Sequence, residues 1–133
     1  MATNEWYVNL ESKIFTIVKK RMSVDFPDVY MTTMESNNID TKLPSVLIRE
    51  MYGIERGFTL DNSDVSAVLF TMQIRVTAKS KTEVSRIASA VAKQFKRLRF
   101  TLTSLPVYTQ DGDKICSYFR VRRLIGSGDN DIV

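Results

Sequence analysis

Val65-Ser-Ala-Val-Leu-Phe-Thr-Met-Gln-Ile-Arg-Val-Thr-Ala78, with Ser80-Lys-Thr-Glu83 close behind it, decides the fold. In the first stretch Val68, Phe70, Met72, Ile74, Val76 and Ala78 alternate with Leu69, Thr71, Gln73, Arg75 and Thr77. Strand side chains point to opposite faces in turn, so this pattern is a strand with one core face and one mainly polar face. The second stretch is a capping box, in which the Ser80 hydroxyl and the Glu83 carboxylate satisfy backbone N–H groups of a helix start. Val84, Ile87, Ala88, Val91, Phe95 and Leu98 then recur at helical spacing as a buried stripe, with Arg86, Lys93, Lys96 and Arg97 on the other sides.

Working outward, Asn4 caps a first helix expected to run to Met22, with Tyr7, Leu10, Ile14, Ile17 and Val18 as its apolar stripe. Lys19, Lys20 and Arg21 fall in its expected last turn, where the negative helix end favours cations. Phe26-Pro27-Asp28 stops the helix, because the residue before proline avoids helical geometry. Strands are expected at Val29–Met34 and Pro44–Tyr52, then a long hairpin connection from Gly53 to Asp64. After the second helix a strand from Phe100 to Leu105 is expected to stop at Pro106. Gln110-Asp-Gly-Asp113 is a hairpin turn, and the last strand covers Lys114–Ile125. On it Ile115, Phe119 and Val121 face one way, and Tyr118, Arg120 and Arg122 the other.

Two amphipathic helices cannot cover both faces of such a sheet. The expected fold is α+β: a mostly antiparallel sheet of about five strands with two helices packed on one face, in the order helix-strand-strand-strand-helix-strand-strand. Residues 1–125 form a single domain, and Gly126-Ser-Gly128 releases 126–133 as a flexible acidic tail. Leu47, Met51, Leu69, Tyr118 and Leu124 are expected on the uncovered face, which marks it as a protein interface.

The composition excludes much chemistry. Among 133 residues there is no histidine, the usual general base and commonest metal ligand. Cys116 is the single cysteine, expected as a small core residue without an internal disulfide or zinc cluster. The close carboxylate pairs, Asp25 with Asp28, Asp61 with Asp64 and Asp111 with Asp113, read as turn chemistry and lack a calcium-loop pattern. No catalytic set, metal site, cofactor or phosphate loop is expected, and the chain is read as not an enzyme. No apolar run approaches the ~20 residues of a membrane span. Met1–Tyr7 lacks the basic and apolar regions of a secretory signal, so a soluble intracellular product is expected.

Net charge is +4, unevenly placed. Residues 1–74 carry 7 Lys/Arg and 10 Asp/Glu, whereas 75–123 carry 12 and 3. A basic second half suits nucleic acid, or an acidic face on an identical neighbour. Arg120, Arg122 and Arg123 beside Tyr118 and Phe119 are similar to a base-stacking strand, but that strand class wants glycines and 114–125 has none.

Ser80–Arg123 resembles the C-terminal half of the tail-completion or tail-terminator proteins of long-tailed bacteriophages. The resemblance rests on the Ser80-Lys-Thr-Glu83 helix start, the helix ending Lys96-Arg-Leu-Arg-Phe100, Pro106, the Gln-Asp-Gly-Asp turn and Tyr118-Phe-Arg-Val-Arg-Arg123. The opening helix, Phe26-Pro-Asp-Val29 and Leu43-Pro-Ser-Val-Leu-Ile48 extend it over most of the chain. The resemblance implies a structural virion protein at the head-proximal end of the tail, made in the host cytoplasm. It implies a ring of itself, typically six copies, that caps the tail tube, stops its polymerisation and presents a surface to the head. The implied partners are the tail tube protein and a head-completion or connector protein, with passing contact with genomic DNA and no membrane. The alternatives are a head–tail connector or minor capsid protein of similar fold, and a basic nucleic-acid-binding module. Candidate partner or inter-subunit contacts are Arg56 and Phe58, in the long connection, and Arg120, Arg122 and Arg123.

Overall fold

Two periodicities, one of two residues and one near 3.6, become a sheet and a helical layer in the computed structural model, which describes residues 9–33, 43–51, 56–57, 67–126, 128, 129 and 132. The elements are α1 (Leu10–Asp25), β1 (Tyr30–Thr32), β2 (Ser45–Glu50), β3 (Arg56–Gly57), β4 (Ala67–Ala78), α2 (Lys81–Arg97), β5 (Thr101–Asp111) and β6 (Lys114–Gly126). The sheet has the order β1-β2-β4-β6-β5, with β3 also paired to β4.

β4 is the centre. Ala67–Ala78 pairs along its whole length with β6, antiparallel, from Ala67↔Gly126 to Ala78↔Ile115. Its other edge is shared by β2 (Ser45↔Thr77 to Glu50↔Met72) and β3 (Arg56↔Val68). Its even-numbered residues from Val68 to Ala78 are all buried, at 0–2% exposure. Both helices cover that face. α2 packs on β4, β5 and β6, and α1 packs on α2 and β2. Leu10, Ile14, Val18 and Met22 of α1 join the α2 stripe and the inward strand residues in one core. The first turn of α1 is also tied to the end of β2, where the Glu50 N–H donates to a Glu11 carboxylate oxygen at 2.6 Å.

The α+β class, the single helical layer and the order of elements are as the sequence indicates. Four details differ. The sheet is mixed, because β1 runs parallel to β2 (Tyr30↔Ser45). A two-residue strand, β3, lies inside the stretch read as a connection. α1 continues to Asp25, so no basic residue falls in its last turn and the Lys19–Arg21 triplet sits inside the helix. Residues 1–8, with the expected Asn4 cap, lie outside the described residues. β5 runs through Pro106 to Asp111 with register shifts on either side of Ser104. It is an outer strand, where proline and irregular pairing are tolerated.

Local chemistry fixes the ends of α2. The Ser80 hydroxyl accepts from the Glu83 N–H at 3.1 Å, as the capping box requires. At the other end Arg99 takes φ +66°. The Arg99 N–H donates to the Lys96 carbonyl and the Phe100 N–H to the Phe95 carbonyl, both at 2.9 Å. That is a Schellman motif, and its usual apolar contact is an edge-to-face pair of Phe95 and Phe100 with centroids 5.2 Å apart. Gly112, at φ +63°, takes the first of the two loop positions between β5 and β6, a left-handed conformation that glycine adopts without strain.

Two serines give opposite expectations for the same substitution. Ser80→Ala removes a cap and should cost ~1 kcal/mol. The Ser117 hydroxyl is fully buried and has no hydrogen-bond partner among the described residues, so Ser117→Ala should gain about 1 kcal/mol. Denaturant unfolding of both variants checks the pair of signs.

Candidate interaction surface

The helices leave one sheet face open, and the register says what stands on it. Leu69 of β4 pairs with Leu124 of β6. The next row is Thr71, Arg122 and Thr101, and then come Arg49, Gln73, Arg120 and Ser104. Beyond them lie Leu47, Arg75, Tyr118 and Val107, then Ser45, Thr77, Cys116 and Thr109, and at the hairpin end Lys114 paired with Asp111. The five rows before that hairpin end carry four arginines and no carboxylate. Leu124 is 62% exposed and Val107 58%. Tyr118, Arg49 and Arg75 line a shallow depression with Leu47 and Gln73. Leu69, Arg99, Thr101, Arg122, Arg123 and Leu124 line a second, more open one at the far end.

Leu69, Tyr118 and Leu124 stand on this face as the alternation predicts, whereas Leu47 shares their parity but is buried at 6% exposure, like Ser45 and Thr77 at the same end. Cys116 corrects an expectation. It is half-buried on this open face, with its Sγ 3.4 Å from the Thr77 hydroxyl, and is not a core residue.

The proposed contact residues separate. Arg120 and Arg122 are exposed on the open face. Arg56 starts β3 and pairs with Val68, which in turn pairs with Ile125. Its backbone therefore lies at the same end of the sheet as Arg122 and Leu124. Phe58 lies outside the described residues. Arg123 differs from its neighbours in being buried, at 6% exposure. Its position shares the inward parity of Phe119, Val121 and Ile125. Its guanidinium donates from Nη1 to the Leu98 carbonyl at 2.7 Å, at the C-terminal end of α2. Nη2 stands 3.2 Å from the Asp129 carboxylate. A cation there satisfies a carbonyl that the helix itself leaves without a donor.

The same ion pair engages Asp129, which lies in the segment expected to be free. Asp129 also accepts from the Gly126 N–H at 2.8 Å. Ile132 is 4% exposed and belongs to the core. A salt bridge and an apolar side chain bring these described tail residues back onto the domain.

Arg99 belongs with Lys93, Lys96 and Arg97 to a basic group that the sequence offers for unspecific phosphate contacts, but its left-handed position at the helix end was not legible, because glycine is the usual occupant there. A third depression runs between α2 and β5, where Lys93 and Lys96 rim Ala88, Ala92, Leu102 and Pro106. Across that layer the Tyr108 hydroxyl donates to Ser85 Oγ at 3.3 Å, and the Lys81 ammonium lies 5.2 Å from the Tyr108 ring centre. Among the described residues no three His, Cys, Asp or Glu side chains gather as a metal site, and no helix is long and apolar enough to cross a membrane.

No family model matches the chain, and no curated protein matches it in sequence. Its fold is similar to a solved structure, the gp17 protein of bacteriophage SPP1. The TM-score is 0.53 and the identity 17%, over 96% of this chain and 98% of that one. At that identity the likeness shows a shared fold, and it spans both chains almost entirely.

Adjacent arginines should behave differently on substitution. Arg123→Ala takes a donor from the Leu98 carbonyl and the counter-ion from the Asp129 carboxylate. A fully buried pair broken on one side loses ~3–5 kcal/mol. The Asp129 side chain keeps 33% exposure, so about 2–3 kcal/mol is expected here. Arg122→Ala should stay within ~0.5 kcal/mol. Thermal melts of the two variants side by side check this.

Proposed function

We propose that this chain is a structural protein of a bacteriophage particle, a tail-terminator-like subunit that acts by binding rather than by catalysis. In this reading copies close into a ring, six in number, on the head-proximal end of the tail tube. The ring ends tube growth and presents a surface to a head-completion or connector protein. The observation that carries the reading is the fold shared with gp17 of bacteriophage SPP1 over nearly the whole of both chains. The residues from Ser80 to Arg123 that resemble the terminator family support it from the side of the sequence.

The physical requirements of such a part suit the molecule. A head-to-tail contact between identical subunits needs two different, complementary patches, and it closes into a ring when the rotation per subunit divides a full turn. The chain concentrates acids before residue 75 and bases after it, and the open sheet face combines arginines with exposed leucine and valine. A ring through which a genome passes also tolerates basic residues near its lumen.

A second reading, a head–tail connector of the same fold, draws equal support from the fold likeness. One experiment separates the two. Gold-labelled chain is added to growing tail tubes and imaged by electron microscopy. Terminator activity predicts label at one tube end and an arrest of elongation. Label confined to the head vertex selects the connector, and tubes that elongate unlabelled contradict both. Replacing Arg56 and Phe58 together by alanine should weaken capping and lengthen tails. Unchanged tail length would remove that connection from the contact.

A further inference from the structure

At the end of the open face where β3 meets β4, two leucines and two arginines form one patch. Leu69 and Leu124 are direct partners across β4 and β6, and Arg122 stands in the next row between Thr71 and Thr101. Arg99 lies just before that row and lines the same depression. No hydrogen bond or ion pair holds the Arg99 or Arg122 guanidinium to any other residue among those described. Arg123, beneath them, is already engaged by Leu98 and Asp129.

Two features mark the patch as built for contact. Arg99 holds φ +66°, a conformation that costs a side-chain-bearing residue ~1–2 kcal/mol and that glycine would relieve. Strain kept at a position that carries a long cationic side chain points to use of that side chain. Leu124 is 62% exposed and lines the same depression as Arg99 and Arg122. Aliphatics framed by arginine suit a protein contact; a phosphodiester backbone would gain nothing from the leucines.

We infer that this patch receives residues 59–66 of a second copy of this chain, as the head-to-tail contact of the ring proposed above, on which the inference rests. That segment reads Thr-Leu-Asp-Asn-Ser-Asp-Val-Ser and carries no base. Asp61 and Asp64 match two guanidiniums in number and sign, and Leu60 and Val65 match the leucine pair. Opposite charges around an apolar centre give such a contact its register, and like charges in the same place cost several kcal/mol.

Charge exchange between copies tests it. Native mass spectrometry is run under the conditions in which the unmodified chain assembles, alone or on tail tubes. The samples are Arg99→Glu with Arg122→Glu, Asp61→Arg with Asp64→Arg, and an equimolar mixture of the two variants. Circular dichroism confirms that each variant folds, and Arg99→Gln with Arg122→Gln replaces the glutamate variant if that one melts early. Each variant alone should need at least ~100-fold more protein to assemble, and the mixture should regain assembly, because each contact in it joins opposite charges. Assembly of either variant at the unmodified concentration overturns the inference. So does failure of the mixture to assemble, including the case where rescue needs all four substitutions on one chain, which would place the ion pairs inside the subunit. Undisturbed assembly with loss of salt-sensitive DNA binding would assign the patch to phosphate instead and overturn it too. An unmodified chain that stays monomeric alone and on tubes would remove the ring reading itself, and the contact with it.

Discussion

Burial of one face of β4 is the constraint from which the rest of the molecule follows. Six inward residues, from Val68 to Ala78, lie at 0–2% exposure on a strand paired along both edges. Each of the larger ones gains roughly 1.5–3 kcal/mol on leaving water, more than the ~1 kcal/mol of a typical net hydrogen bond. A one-residue slip of β4 would turn all six into solvent. That fixes which side the helices must cover. It also fixes the other side as an open face on which Leu69, Thr71, Gln73 and Arg75 stand outward. The candidate contact surface is therefore the reverse of the core, set by the same register.

Much of this was legible in the sequence, for identifiable reasons. β4, the α2 stripe, the Ser80 cap and the turn at Gly112 are local patterns in which period and turn chemistry agree. What was not legible depends on distant partners or on a single exceptional residue. The parallel pairing of β1 with β2 joins segments that carry no mark of direction. The run of β5 past Pro106 is permitted only because that strand is an outer one. α1 runs three residues past Met22 to Asp25 and closes at Phe26, whose N–H donates to the Met22 carbonyl.

The candidate site was legible in part. Arg120 and Arg122 stand outward as their alternation indicates. Arg123 follows the same alternation inward, and strict counting from Phe119 and Val121 would have placed it there. Its charge suggested a surface residue, and the Leu98 carbonyl and the Asp129 carboxylate compensate its burial. In the C-terminal segment the contacts of two described residues were not legible either: Asp129 pairs with a buried base, and Ile132 joins the core. Arg56 came to the Leu124 end of the sheet through a strand of two residues, too short to announce itself.

These features describe a domain whose inner face is buried in its own core and whose outer face mixes arginine with exposed aliphatic side chains. Assembly is the property such a surface serves in the proposed role. Electron-microscopy class averages of the purified chain, alone and with tail tubes, test this most directly. The account predicts closed rings with six-fold symmetry. Monomers under both conditions, or open-ended filaments, would contradict it.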